Sequence, residues 1–372
     1  MTIHLTSEKA TGLRTACTAL LACLSPSIRE VASVIGKIVS SFPGVMHGAL
    51  YYRHLEKDKS QALKRTRGNF DASMSLSSHA KSELQWWIKN VENAYNVTHH
   101  PQPQHQITTD ASLMGWGAEF AGVSTGGNWS SSESKHHINY LEMLAILLAL
   151  KTFAKDKNDT HIRIMCDNTT AVNVLNHMGT SHSDPCNSIA KETWEWCIDR
   201  SIWLSAAHIP GKQNLIADFE SRKNQRESEW QLDKLLLSNA LERLHFKPGI
   251  DLFASRINHQ FPQYVSYRPD PEAFAIDAFS LDWSNLNLYA FPPFSVIPTV
   301  LNKLKSEGAR GVCVLPDWPT QAWYPMALQL CTRQPVYFKA RKDLLQLPSH
   351  PRETHPIWHK LNLLVCLLSG RD

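Results

Sequence analysis

The sequence predicts an α/β protein: a helical segment over roughly the first hundred residues, then two α/β blocks. Three observations predict it. Apolar residues near the N-terminus recur at helical spacing behind serines that can cap a helix. From Gln106 onward short apolar strands alternate with helices, the mark of a layered α/β architecture. After about Trp230 the same alternation starts afresh, and a length of 372 residues suits two or three domains.

Taken in order, Ser25-Pro26-Ser27 precedes Ile28, Val31, Ile35, Ile38 and Val39, an apolar helix stripe ending near Pro43. A basic stretch from Arg53 to Arg67 follows, with Lys57, Lys59, Lys64 and Arg65. Ser77 or Ser78 can cap a second helix carrying Leu84, Trp87, Ile88 and Val91. Residues 99–105, rich in Pro, Gln and His, read as a linker. In the next block QITTDASLMGWGAEF is strand-like, and YLEMLAILLALKTFA is a helix. HIRIMCD is a short strand feeding the helix NTTAVNVLNHM. SIWLSAAHI is a strand followed by the helix NLIADFESR, capped by Asn214. The last block offers strands at 250–253, 287–290 and 311–315, and helices at 296–306 and 322–330.

Bulk properties narrow the function. Apolar residues make up 43% and charged residues 19%, enough to bury true cores. The formal net charge is +4, so any nucleic-acid surface is a local patch rather than a global field. None of the eight cysteines forms a C-x-x-C pair, which argues against a zinc ribbon or a disulfide scaffold and suits a reducing compartment. No apolar run approaches the ~18 residues of a membrane span, and no leader with a cleavage site opens the chain. The expectation is an intracellular protein, cytoplasmic or nuclear, with no membrane partner.

Four acids carry the chemistry. Asp110 lies in a strand, Glu142 early in a helix, Asp167 at a strand end, and Asp218 in a short helix beginning near Asn214. Each sits on an otherwise apolar element, where a carboxylate costs desolvation unless a cation compensates. Phosphodiester hydrolysis needs an activated water and a stabilised leaving oxygen, which two divalent ions about 3.5–4 Å apart supply. Hard Mg2+ prefers such oxygen donors. For any one acid, a solvated strand end is the plainer reading; the set of four and the strings around them favour a metal site.

Those strings resemble type 1 ribonuclease H domains over about Gln104 to Arg222. TDAS-x-x-GWGA is similar to the family's opening strand, LEMLAILLAL to its second-acid helix, and IMCDNTTAV to the third-acid segment. AHIPGKQNLIADFESR is similar to the closing H…N-x-x-A-D-x-x-S segment, with His208 ten residues before Asp218. The resemblance implies a mixed sheet with flanking helices and two Mg2+ or Mn2+ ions. Asp110 would bridge both ions, Glu142 and Asp167 would share a metal shell, and Asp218 would complete it. His208 would assist proton transfer or product departure. Lys212, Asn214 and Asn168 are candidate contacts to the nucleic-acid backbone. The helix around Glu192 to Cys197 lacks the dense basic protrusion of some relatives, so Arg53 to Arg67 is the alternative source of phosphate contacts, set against a plain solvated surface.

The flanks extend the resemblance. SIREVASVIGKIVSSFPGVMHGALYYRHLEKDK and LSSHAKSELQWWIKNV resemble the thumb-to-connection segment of reverse transcriptases, and the wording is most similar to DIRS-type retrotransposons. Trp86 and Trp87 would be hinge aromatics there, with core packing as their physical role. No Y-x-D-D-like acidic pair occurs, so polymerisation is not expected, and the chain reads as a C-terminal fragment of a longer element-encoded polyprotein or as a degraded copy. Residues 251–324 resemble phage-type DNA adenine methyltransferases, through DLFASRINHQFPQY, DAFSLDW and Phe291-Pro292-Pro293-Phe294, with Asp251, Asn258, Asp282 and Trp283 at cofactor-side and scaffold positions. Phe291 stands where that family has the polar acceptor for the target amine, so the expectation is an inactive domain without S-adenosylmethionine; a plain α/β accessory domain stays open.

The organisation implied is 1–98 thumb/connection-like, 104–224 ribonuclease H-like and 230–370 methyltransferase-like. The expected function is hydrolysis of the RNA strand of RNA–DNA hybrids. The alternatives are a silent nucleic-acid-binding remnant and a DNA adenine methyltransferase.

Overall fold

The computed structural model describes residues 1–223 and 229–371; Asn224, the last residue of the expected 104–224 block, lies outside them. The expected fold class is what the chain adopts, a helical N-terminal segment and two α/β sheets.

The first segment comprises β1 (Thr2–Ile3), α1 (Ser7–Ala22), α2 (Ile28–Ser41), α3 (Arg53–Arg65), α4 (Ser78–Asn90) and β2 (Asn96–Val97), with β1 and β2 paired antiparallel. Ser27 and Glu30 close a reciprocal capping box that starts α2, and Ile28, Val31, Val34, Ile35 and Ile38 form its buried stripe. Val39, assigned to that stripe from the sequence, instead faces solvent. Ser77, not Ser78, caps α4, its side chain accepting from the Ala80 N–H at 3.2 Å. Trp87 is fully buried and donates its indole N–H to the Tyr51 carbonyl at 2.7 Å, while Trp86 stacks on Tyr51. The basic stretch forms the helix α3 as far as Arg65, with Arg67 in the turn beyond it.

The first sheet is built from β3 (His105–Ala111), β4 (Gly115–Phe120), β5 (Val123–Asn128), β6 (His161–Cys166) and β7 (Trp203–His208), in the order β5-β4-β3-β6-β7. It is mixed: β4 and β5 are antiparallel, while β3, β6 and β7 run parallel. The helices are α5 (Ile138–Phe153), α6 (Thr169–Asn176), α7 (Asp184–Ile198) and α8 (Leu215–Arg222). From Leu141 to Leu150 every residue of α5 is buried, as its apolar character all round requires, and Glu142 is among them.

The last block contains β8 (Gln231–Leu232), α9 (Lys234–Leu244), β9 (Ile250–Asp251), β10 (Gln263–Ser266), β11 (Ala275–Ile276), β12 (Asn287–Ala290), α10 (Ile297–Ser306), β13 (Arg310–Pro316), α11 (Tyr324–Gln329), β14 (Val336–Phe338), β15 (Leu345–Gln346) and β16 (Leu363–Ser369). β8 and β15 pair with each other. The other seven strands form one sheet, ordered β11-β10-β9-β12-β13-β16-β14, in which β16 runs antiparallel to both neighbours. Side chains alternate between two cores: Leu288, Ala290, Cys313 and Leu315 enter one, and Tyr289, Val312 and Val314 enter the other.

The chain divides into two compact units. One comprises Met1–Thr108, Glu142–Leu147 and Lys157–Gln213; the other comprises Thr109–Leu141, Leu148–Asp156 and the described residues from Asn214 onward. Among the described residues, no helix is long and apolar enough to cross a membrane, and all eight cysteines are free.

Candidate active site

In the first unit, β6 ends at Cys166 and delivers Asp167 to the start of α6, while α5 supplies Glu142. One ligand atom each from Glu142, Cys166 and Asp167 lie within 4.8 Å of one another. Glu142 and Cys166 are buried and Asp167 is half-buried. The Cys166 thiol donates to Glu142 Oε2 at 3.7 Å and accepts the Asn168 N–H at 3.4 Å; burial and the Glu142 charge push the thiol well above its ordinary range. Two hard oxygen donors converging at this spacing fit a divalent ion.

His208 is the register partner of Cys166 across β6 and β7, and its side chain is exposed. The loop after it passes close to the carboxylate: a Cβ at Gly211 would lie 3.0 Å from Asp167 Oδ2, so a side chain there would crowd the site. Lys212 is exposed. Asn168 caps α6, its side-chain Oδ1 accepting the Ala171 N–H at 2.9 Å, so that oxygen serves the helix end.

In the second unit, Asp110 is buried near the end of β3, and Ser221 Oγ donates to its Oδ2 at 2.6 Å. The same hydroxyl lies 2.9 Å from the Asp218 carbonyl, and Ser112 Oγ donates to the Ser221 carbonyl at 2.7 Å. The serine thus ties Asp110 to the helix that carries Asp218. Asp218 is half-exposed and paired with Arg222, whose Nε and Nη2 stand 2.8 and 2.7 Å from Oδ1.

Asn214 corrects two expectations. Its φ of −94° and ψ of 32° are not those of an extended cap residue, and its side chain makes no cap hydrogen bond. It turns inward and is 1% exposed; Nδ2 donates to the Thr109 carbonyl at 3.0 Å, so it presents nothing to a phosphate backbone. Its Oδ1 and the neighbouring Thr109 Oγ1 are buried without a hydrogen-bond partner.

The basic stretch is also more committed than its composition implied. Arg53 donates to the His177 carbonyl at the end of α6, Lys57 pairs with Asp184, and Lys59 pairs with Glu56. Lys64, Arg65 and Arg67 are the exposed cations left on that stretch.

Sequence reasoning missed Cys166, Ser112, Arg222 and the role of Ser221. Only Ser221 carried a usable signal, standing three residues after Asp218 in A-D-x-x-S. Cys166 and Ser112 owe their importance to partners distant in the chain, Glu142 and Ser221, and Arg222, four residues from Asp218, is an ordinary i,i+4 arrangement that marks no site.

The second sheet holds the other sequence-predicted cluster. β9 and β12 are parallel neighbours from which the strand order departs in opposite directions, the place where open α/β sheets receive ligands at the strands' carboxyl ends. Asp251 ends β9 and Phe291 follows β12. Both carboxylate oxygens of Asp251 already accept backbone N–H groups, from Phe253 at 3.3 Å and Gln260 at 3.0 Å, and burial pushes the carboxyl up to about 7. Phe291 packs on the core with its ring 6.4 Å from Phe294, beside buried Pro292 and exposed Pro293. Asn258 accepts from the Ser255 N–H at 2.6 Å, Asp282 accepts from the Ser284 N–H at 2.9 Å, and Trp283 is buried with its indole N–H on the Ala278 carbonyl. At the end of β12, Phe291 thus offers a packed ring and no side-chain hydrogen-bond acceptor.

No family model matches the chain, and no curated protein matches it. Among solved structures, ribonuclease H1 from the halophilic archaeon Halobacterium salinarum is 18% identical, over 31% of this chain and 92% of that one, with a TM-score of 0.27. LC11 ribonuclease H1 in complex with an RNA/DNA hybrid is 17% identical over the same shares, with a TM-score of 0.26. A foamy viral protease-reverse transcriptase in complex with double-stranded DNA is 13% identical over 55% of this chain and 35% of that one, with a TM-score of 0.23. Likeness at this level leaves the function to the residues themselves.

Proposed function

We propose that this chain hydrolyses the RNA strand of RNA–DNA hybrids, endonucleolytically and with two divalent ions. We read it as the ribonuclease H portion of a retrotransposon reverse transcriptase polyprotein, with 1–98 a thumb/connection-like segment, 104–224 the nuclease and 230–370 a methyltransferase-like domain without methyl transfer. The observation that carries the reading is the convergence of Glu142 and Asp167, whose donor atoms lie within 4.8 Å in a largely buried setting. Acids so placed repel each other and lose hydration, so they are tolerable beside a cation.

Asp110, Glu142, Asp167 and Asp218 would hold the ions, Mg2+ or Mn2+. When bound, such ions neutralise the developing charge and lower the pKa of water. The remaining work belongs to the chain. Ser221 holds the Asp110 carboxylate in one orientation through its hydroxyl. Exposed His208, beside the site on β7, moves a proton at its imidazole or helps the product leave. Exposed Lys212, with Lys64, Arg65 and Arg67, supplies phosphate contacts.

The test is incubation of the purified chain with a hybrid labelled in the RNA strand, in Mg2+ or Mn2+. Internal RNA fragments are expected from the wild type, with kcat reduced on the order of a hundredfold or more in Asp110→Asn, Glu142→Gln and Asp167→Asn. A wild type that leaves the RNA intact in both ions overturns the reading. If it still binds hybrid with a steep salt dependence that Asp167→Asn does not alter, the chain is the silent binding remnant instead.

A further inference from the structure

The loop between β10 and β11 reaches the nuclease elements of the same unit. Arg268 Nη1 donates to Glu220 Oε2 at 2.8 Å, Nη2 stands 2.7 Å from Glu220 Oε1, and Nη2 also donates to the Ser124 carbonyl at 3.2 Å. This two-pronged pair is screened from water, the Glu220 side chain being 6% exposed, and Ser124 Oγ adds a further hydrogen bond to that carboxylate at 3.2 Å. The loop carrying Arg268 is itself fixed. Thr125 Oγ1 donates to the Pro269 carbonyl, the Tyr264 hydroxyl donates to Asp270 Oδ1 at 2.7 Å, and the Arg256 N–H donates to the same Oδ1 at 3.1 Å.

Glu220 lies between Asp218 and Ser221 on α8. That helix has only 8 residues, too few to hold itself in place, so tertiary contacts decide where it sits. Beneath it the strands offer bare backbone: a Cβ at Gly117 would collide with the Ala217 carbonyl and lie 2.6 Å from the Ser221 nitrogen, and one at Gly126 would lie 3.0 Å from the Glu220 carbonyl. The glycines set how close α8 comes to the sheet. They do not stop it sliding along the sheet; directional contacts oppose that, the charged fork on Glu220 together with the Asn214–Thr109 and Ser112–Ser221 hydrogen bonds. A slide of α8 would carry Ser221 off Asp110 and displace Asp218 with it.

We propose that Arg268 is a positioning residue for the nuclease: through Glu220 it fixes α8, and so holds Ser221 on Asp110 and Asp218 in register. The methyltransferase-like block is then a brace for phosphodiester hydrolysis. This rests on the nuclease reading above.

The experiment uses the full chain as wild type, Arg268→Met and Arg268→Lys, all held well below their melting temperatures. Mn2+ binding is measured by calorimetry without nucleic acid, and kcat and KM are measured on labelled hybrid. Arg268→Met is expected to weaken Mn2+ binding and lower kcat by about tenfold each, the scale of losing an outer support of a metal ligand, with KM for hybrid unchanged. Lysine keeps the charge but not the fork, so Arg268→Lys is expected to lose less, about threefold, in the same two quantities. It also decides the matter should Arg268→Met not fold. Variants that match the wild type in Mn2+ affinity and kcat while melting earlier make Arg268 merely structural and overturn the proposal. A wild type that neither binds Mn2+ nor cuts defeats the nuclease reading itself, and the brace with it, which is a separate outcome from an active wild type with indifferent variants.

Discussion

Asp218 carries its own counterion. Arg222, one helical turn later, places Nε and Nη2 2.8 and 2.7 Å from the same carboxylate oxygen. This guanidinium offsets the carboxylate charge, and under the metal role proposed for Asp218 a divalent ion would have to share or displace it. The pair is open to water, with side-chain exposures of 64% and 40%, and exposed i,i+4 pairs contribute only about 0.3–0.5 kcal/mol. Arg222 is therefore a weak competitor. Arg222→Ala is expected to tighten Mn2+ binding about twofold in a titration without nucleic acid, with little change in melting temperature. Looser binding in the variant would mean that the arginine organises Asp218 rather than competing for it. Asp110 has a different neighbour, a hydroxyl that belongs to the A-D-x-x-S string, so the residue scale was partly readable. The acids stood out through the strings around them, which resemble ribonuclease H segments. Arg222 did not, because an arginine four residues from an aspartate is common on any exposed helix.

At the scale of elements, α3 shows why some helices were legible and others were not. Helices α2 and α4 announce themselves with Ser27 and Ser77 and an apolar stripe. Helix α3 is mostly charged, and its N-cap residue, Tyr52, makes no side-chain cap bond. The cap comes from another helix: the buried Glu83 carboxylate of α4 accepts the His54 and Leu55 N–H groups at 3.1 and 3.0 Å and the His54 ring nitrogen at 2.8 Å. No local pattern encodes a cap supplied from nearly thirty residues away. Glu83→Ala would leave two helix-end amides and the imidazole without their acceptor. An expected loss of about 3 kcal/mol in urea unfolding follows from stranding buried donors, and a loss below about 1 kcal/mol would show that water replaces the carboxylate. Strand β16 was missed for another reason. Its LLVCLL run is buried on both faces, so it lacks the alternation that distinguishes a strand from a helix fragment.

At the scale of the whole molecule, alternation of strands and helices was enough to read an α/β chain with two sheets, but not the strand orders. The placement of β16 between β13 and β14 depends on seven register pairs from Arg310↔Ser369 to Pro316↔Leu363, which join segments far apart in sequence. Burial that no sequence pattern marked makes two carboxyls of the second unit costly to ionise. Burial pushes the carboxyls of Asp251 and Glu229 up to about 7, from ordinary values of 3.8 and 4.5. Each therefore keeps a proton in the folded state that the unfolded chain releases near pH 4. Stability from these groups is greatest at the acid end of that window, declines as pH rises toward about 7, and levels off above it. His54 is raised by its Glu83 hydrogen bond and weakens with rising pH too, whereas His47, held at about 4 by burial, acts in the opposite sense below its ordinary 6.5. The wild-type profile mixes all of these, so the difference between wild type and Asp251→Asn isolates one carboxyl. That difference in unfolding free energy is expected to move against the wild type by about 2 kcal/mol between pH 5 and pH 8, and to stay flat from there upward. A difference independent of pH over this range would mean that the two backbone N–H groups on Asp251 suffice to keep it ionised in the core, and that the β9 end tolerates a full charge.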